Sequence, residues 1–168
     1  MISRYFRLAI FLFFAAFTIL YSCKQQNEVP HNLQQQIDSL QQQLKNCYKP
    51  GMGDFMAALQ IHHAKLYFAG QAANWKPATF EMKEIGEAFD GIRQYNTDRP
   101  ELKSIDMIKP ALDSVAQAIL LKDGKLFMNC FLNLTKTCNK CHQATNHEFN
   151  LIKIPDTPPF SNQIFKVE

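Results

Sequence analysis

Downstream of Pro50-Gly51, four stretches repeat apolar residues at the period of a helix, and no segment before the tail sustains the period of two that a strand needs. Met52, Phe55, Leu59, Leu66 and Ala69 form the first seam, with His62 or His63 in its gap. The second opens after Asn74-Trp75-Lys76-Pro77, where Asn74 suits a cap and Pro77 the first turn, and carries Met82, Ile85, Phe89 and Ile92 to about Tyr95. The third aligns Ile105, Ile108, Leu112, Val115 and Ile119, with Pro110 near its start or kinking it. Lys122-Asp123-Gly124 is a turn with a capping residue, and the last helix turns Phe127, Cys130 or Phe131, Leu134, Cys138 and Cys141 inward. Four amphipathic helices on short connections predict an all-α protein, an antiparallel up-down-up-down four-helix bundle.

Near the end of the last helix stands Cys138-Asn139-Lys140-Cys141-His142. Cys-x-x-Cys-His is the pattern on which haem is attached covalently. Two thiols at this spacing add to the two vinyl groups of one porphyrin, and His142 then reaches the iron as proximal ligand. Cys138 and His142 are four residues apart, so one helical face carries both. A structural zinc site would need a second tight pair, whereas Cys23, Cys47 and Cys130 stand alone. A thioredoxin-like redox pair would need a βαβ context, which is lacking. The expected cofactor is one covalent haem c.

The other end of the chain agrees. Residues 1–22 hold Arg4 and Arg7, no acidic residue, and an apolar run from Leu8 to Leu20, the pattern of a secretory signal. Leu20-Tyr21-Ser22-Cys23 resembles the lipobox of bacterial lipoproteins, which implies lipid on Cys23 and anchoring of the exported chain to a bacterial membrane on the periplasmic side. The alternatives are an uncleaved anchor, though the run is short of the roughly 20 residues a span requires, or ordinary cleavage that leaves Cys23 a plain thiol. Without residues 1–22 the charge is 16 basic minus 15 acidic, or +1. That balance leaves no basic patch to argue for nucleic acid.

Residues 23–50 form a polar spacer. Within it Leu33, Ile37, Leu40 and Leu44 alternate spacings of four and three, as in a short coiled coil, and Cys47 continues the seam. Two heptads are marginal alone. The helix serves either as a spacer that lifts the domain off the membrane or as a self-association element, a homo-oligomer through residues 33–47 with Cys47 available for a disulfide. The expected organisation is therefore signal 1–22, spacer 23–50, bundle 51–149 and a Pro-rich tail 150–168 that folds back on the bundle.

A bundle with this motif near the end of its last helix, after an Asp-Gly turn, resembles cytochrome c′ and low-spin relatives such as cytochrome c556. The likeness covers roughly Met52 to Phe149 and rests on helix order and on the stretch from Leu121-Lys-Asp-Gly to Cys138-Asn-Lys-Cys-His142. The segments His63-Ala-Lys-Leu-Tyr-Phe-Ala-Gly70, Asn74-Trp75, Cys138 to Thr145 and Pro159-Phe-Ser-Asn-Gln163 also resemble small exported haem-binding proteins of Gram-negative bacteria. The resemblance implies a fold and a cofactor and supplies no substrate. Redox partner proteins are implied without being identified.

The sixth iron position decides the job. Counting inward at equal rise sets His142 level with about Phe55, which favours Met56 or Met52. The analogy with cytochrome c′ favours His62 or His63. The reading adopted is His63, since an imidazole on an apolar seam needs a partner and iron would be one; otherwise both histidines are surface or hydrogen-bonded core residues and both methionines fill the core. A closed six-coordinate haem suits one-electron transfer, the expected function. An open iron suits binding of nitric oxide or carbon monoxide, and a third reading is an assembly component with structural haem. Peroxidase-type turnover would recruit His63 as acid-base group. No paired carboxylates or nucleophile-base spacing argue for an enzyme, so no catalytic residue is named. Arg93 and Arg99 could pair with propionates or be exposed helix-end residues.

Overall fold

A computed structural model describes residues 30–47 and 49–166. The signal segment and Cys23 lie outside the described residues. Those residues form helices and no strand, and none of their helices is long and apolar enough to cross a membrane. The chain divides into two units at Tyr48 and Lys49.

The first unit contains α1 (His31–Asn46). The Pro30 carbonyl accepts from the Leu33 and Gln34 N–H groups at 2.8 and 3.0 Å, and Cys47 leaves the helix in an extended conformation.

The second unit holds α2 (Met52–Gln71), α3 (Trp75–Tyr95), the short α4 (Leu102–Ile105), a 3-10 turn (Asp106–Ile108), α5 (Lys109–Leu121) and α6 (Gly124–Ala144). Local chemistry sets the ends. The Asp54 carboxylate accepts from the Gly51 N–H at 2.8 Å, satisfying a donor at the start of α2. Pro110 falls in the first turn of α5, where a missing N–H costs nothing. Lys122 takes a left-handed conformation at φ 55°, ending α5, and Asp123 caps α6 by accepting from the Leu126 N–H at 2.9 Å. Asn74 departs from expectation. It precedes α3 without a side-chain capping bond, and its Nδ2 donates to the Phe165 carbonyl of the tail at 3.1 Å.

Helices α2 and α3 pack along one another, as do α5 and α6, while α2 meets α6 and α3 meets α5. Leu66, Ile92, Val115, Phe127, Phe131 and Leu134 are fully buried at the centre. Each such side chain contributes about 1.5–3 kcal/mol through burial. Two glycines let helices approach. A Cβ on Gly70 would meet the Phe127 ring at 2.1 Å, and one on Gly91 the Phe55 ring at 2.4 Å.

The tail returns to the bundle. Phe165 is buried against Phe68, with ring centroids 5.8 Å apart. Asn139 on α6 clamps Ile152, its Nδ2 donating to the carbonyl and its Oδ1 accepting from the N–H, both at 2.8 Å.

Candidate functional site

Beyond the close-packed centre, the second unit holds a cavity of about 690 Å³ that opens to solvent. Close-packed interiors hold few voids larger than a water molecule, so a space this size is a ligand-sized pocket. Helix α2 lines it with Met52, Met56, Leu59 and His63; Ile85 and Phe89 of α3 and Ile105, Ile108 and Leu112 add further apolar wall. Helix α6 contributes Leu134, Cys138, Cys141, His142 and Thr145, and the tail contributes His147 and residues 149–152.

The helical period brings Cys138, Cys141 and His142 to this one wall. Both cysteines are partly buried free thiols. Burial first, and then the neighbouring Cys141, push the Cys138 thiol up to about 12. Burial also raises Cys141, whose Sγ lies 3.6 Å from the Ser104 carbonyl. His142 Nδ1 lies 2.6 Å from the Asn150 carbonyl. A carbonyl only accepts, so Nδ1 is protonated, and in the neutral imidazole Nε2 is then the nitrogen with the lone pair. A metal-ligating imidazole needs that arrangement, with the far nitrogen held by an acceptor.

His63 is buried, its ring 4.5 Å from that of Phe131, and burial lowers it to about 4. Its Nε2 lies 2.9 Å from Thr135 Oγ1, whose hydrogen goes to the Phe131 carbonyl at 3.0 Å. The hydroxyl therefore accepts from His63 Nε2–H, and Nδ1 is the unprotonated nitrogen.

His62 is turned elsewhere. Its Nδ1 lies 2.6 Å from Oε2 of Glu81, a carboxylate only 2% exposed, and Lys65 Nζ lies 3.9 Å from Oε1. His62 is not among the residues lining the cavity.

Contacts between α2 and α6 set the axial register. His63 meets Thr135, Tyr67 meets Phe131, and Gly70 meets Phe127. From pair to pair a rise of four, then three, residues along α2 accompanies a fall of four, then four, along α6. Continued by seven residues, the same register sets Met56 level with His142. His63 then lies about 10 Å further along the axis at 1.5 Å per residue.

Charge gathers at one edge of the cavity. Glu101 Oε1 accepts from Arg99 Nη2 at 2.7 Å, and His147 Nε2 stands 3.9 Å away. A bond from its own backbone N–H, and then Arg99, hold the Glu101 carboxyl below its ordinary range. Its Oε2 is buried and, among the described residues, has no hydrogen-bond partner. Arg93 instead bridges Asp90 and Asp106, at 3.1 and 3.0 Å, away from the cavity lining.

Among the described residues no three His, Cys, Asp or Glu side chains converge to hold a metal ion by themselves. A four-ligand zinc site therefore has no donor set among those residues. Two thiols and one imidazole with a free Nε2, opening on a large apolar cavity, are instead the donors that a covalently attached haem uses. No protein-family model, curated protein or solved structure matches this chain.

Sequence reasoning did not single out Thr135, Glu81, Glu101, Asn139 or Asn150. Only Glu81 left a signal, since Ala78, Glu81 and Ile85 are spaced three and four apart and set a carboxylate on the inner seam of α3.

Proposed function

We propose that this chain is an exported, lipid-anchored carrier of single electrons, a monohaem c-type cytochrome similar to cytochrome c′ and cytochrome c556 on an antiparallel up-down-up-down bundle. One observation carries the reading: Cys138, Cys141 and His142 share a wall of a largely apolar cavity of about 690 Å³, with His142 Nδ1 bonded to the Asn150 carbonyl. Cys138 and Cys141 would hold haem c by thioether bonds and His142 would bind its iron. The bound group supplies a ferric/ferrous couple suited to passing one electron.

The chain's own residues do the rest. Asn150 fixes the tautomer and orientation of His142. Leu59, Ile85, Phe89, Ile105 and Ile108 give the cavity an apolar wall, which lowers the local dielectric there. Arg99, paired with Glu101, brings a guanidinium to the edge where propionates would meet solvent. Export and lipid on Cys23 rest on the sequence pattern of residues 1–23.

For the sixth ligand we take Met56. Met56 would be the second protein donor to the iron, because the α2–α6 register sets it level with His142 and both residues line the cavity. His63, bonded to Thr135, is about 10 Å along the axis by the same register. His62 is engaged by Glu81.

The test is the absorption spectrum of the reduced holoprotein with and without carbon monoxide. A low-spin spectrum unmoved by carbon monoxide is expected. A high-spin spectrum that shifts would replace electron transfer with gas binding. Met56→Ala should convert the first spectrum into the second, while His63→Ala should leave it low-spin; the opposite pattern would return the ligand to His63.

A further inference from the structure

Helix α1 leaves most of its apolar stripe in the open, with Ile37 half-buried. Leu33, Leu40 and Leu44 are 46%, 63% and 68% exposed, and Cys47, next along the same seam, is exposed. Such a row gains about 25 cal/mol for each Å² it removes from water, so it favours a cover.

The pattern names the cover. Spacings of four and three put Ile37 and Leu44 at the a positions of a heptad and Leu33, Leu40 and Cys47 at d. Ile37 at one a position beside Leu33 and Leu40 at d follows the arrangement that favours two parallel strands, while Leu44 holds the other a position. The flanking e and g positions are Gln34, Gln36, Gln41 and Gln43. In a pair of identical helices each flanking residue faces a flanking residue of the same set, so one sign of charge there would repel itself. Four neutral amides remove that conflict and can bond one another. A different partner chosen by charge would require charges at these positions. The Gln34 amide donates to Asp38 at 2.9 Å, and Asp38 is at b, outside the seam.

We infer that α1 pairs in parallel and in register with α1 of a second copy of this chain, which brings the two Cys47 thiols face to face. Two heptads are marginal in water, so the pairing depends on concentration until the thiols are joined. The inference is independent of the haem reading, because it uses no residue of the second unit.

The test incubates the full-length protein in detergent with oxidised glutathione and follows dimer on non-reducing gels. Two Cys47 thiols become one disulfide while one glutathione disulfide becomes two glutathione thiols, so protons and electrons balance. Wild type should form a dimer that Cys47→Ser abolishes. Leu40→Asp should slow its formation about tenfold or more, because the pair must bury two charges. Ser39→Asp puts the same charge on the same helix outside the seam and should leave the rate near wild type. Leu33→Cys in the Cys47→Ser background should also cross-link, since a parallel pair aligns every d layer. Absence of a Cys47 dimer, or equal rates for Leu40→Asp and Ser39→Asp, would overturn the pairing. Failure of Leu33→Cys to cross-link would overturn its parallel register.

Discussion

At the scale of single residues, the two adjacent histidines of α2 have opposite environments. His62 is bonded to Glu81, whose side chain is 2% exposed, whereas His63 is buried among rings and bonded to the Thr135 hydroxyl. Removing His62 takes that bond from a buried carboxyl group and leaves Lys65, 3.9 Å away, beside it. His62→Ala should therefore cost about 1–3 kcal/mol. Glu81→Gln keeps a hydrogen-bonding group and should cost less, and urea denaturation of the two variants measures the difference. His63 gives a pH dependence. In the haem-free Cys138→Ala/Cys141→Ala chain, burial holds His63 at about 4 against an ordinary 6.5. The folded form refuses a proton that the unfolded chain accepts. Its contribution is thus whole above pH 6.5 and is lost as pH falls toward 4. Denaturation midpoints of this chain should decline through that window, and His63→Gln should flatten the decline.

At the scale of elements, Gly70 marks a place where α2 has no room for a side chain against Phe127 of α6. An added methyl would meet the Phe127 ring at 2.1 Å, and Phe127 is fully buried, so the ring has little room to yield. Gly70→Ala should cost about 1–3 kcal/mol by overpacking, despite the better helix propensity of alanine, as thermal unfolding would show. The helices themselves were legible in the sequence because burial of one face imposes a period. Ile85, Phe89 and Ile92 on α3 and Phe127, Phe131 and Leu134 on α6 are buried where that period sets them. Polar pairing has no period. Asn74 reads as a cap from its position, yet the tail claims its amide, a contact across 91 residues that no local pattern encodes. Thr135 and Asn150 went unread for the same reason, since each matters only through a histidine brought to it by folding. The motif at 138–142 was legible because its chemistry is local to one helix.

At the scale of the whole second unit, cavity and tail belong together. Residues 149–152 line the cavity, and Asn139 holds that stretch by two bonds to Ile152. Asn139→Ala removes both bonds at once. Limited proteolysis should then cut the 150–166 segment faster than in wild type while the helices persist by circular dichroism. Because Asn150 of the same stretch engages His142, the variant should also broaden or weaken the low-spin spectrum. The central claim is that Cys138 and Cys141 hold haem covalently. Denaturing electrophoresis of the protein expressed with a haem-attachment system, followed by absorbance of the unfolded band, tests it most directly. Haem colour should travel with the wild-type polypeptide and be absent from Cys138→Ala/Cys141→Ala; a colourless wild-type band, or colour retained by the double variant, would contradict the account.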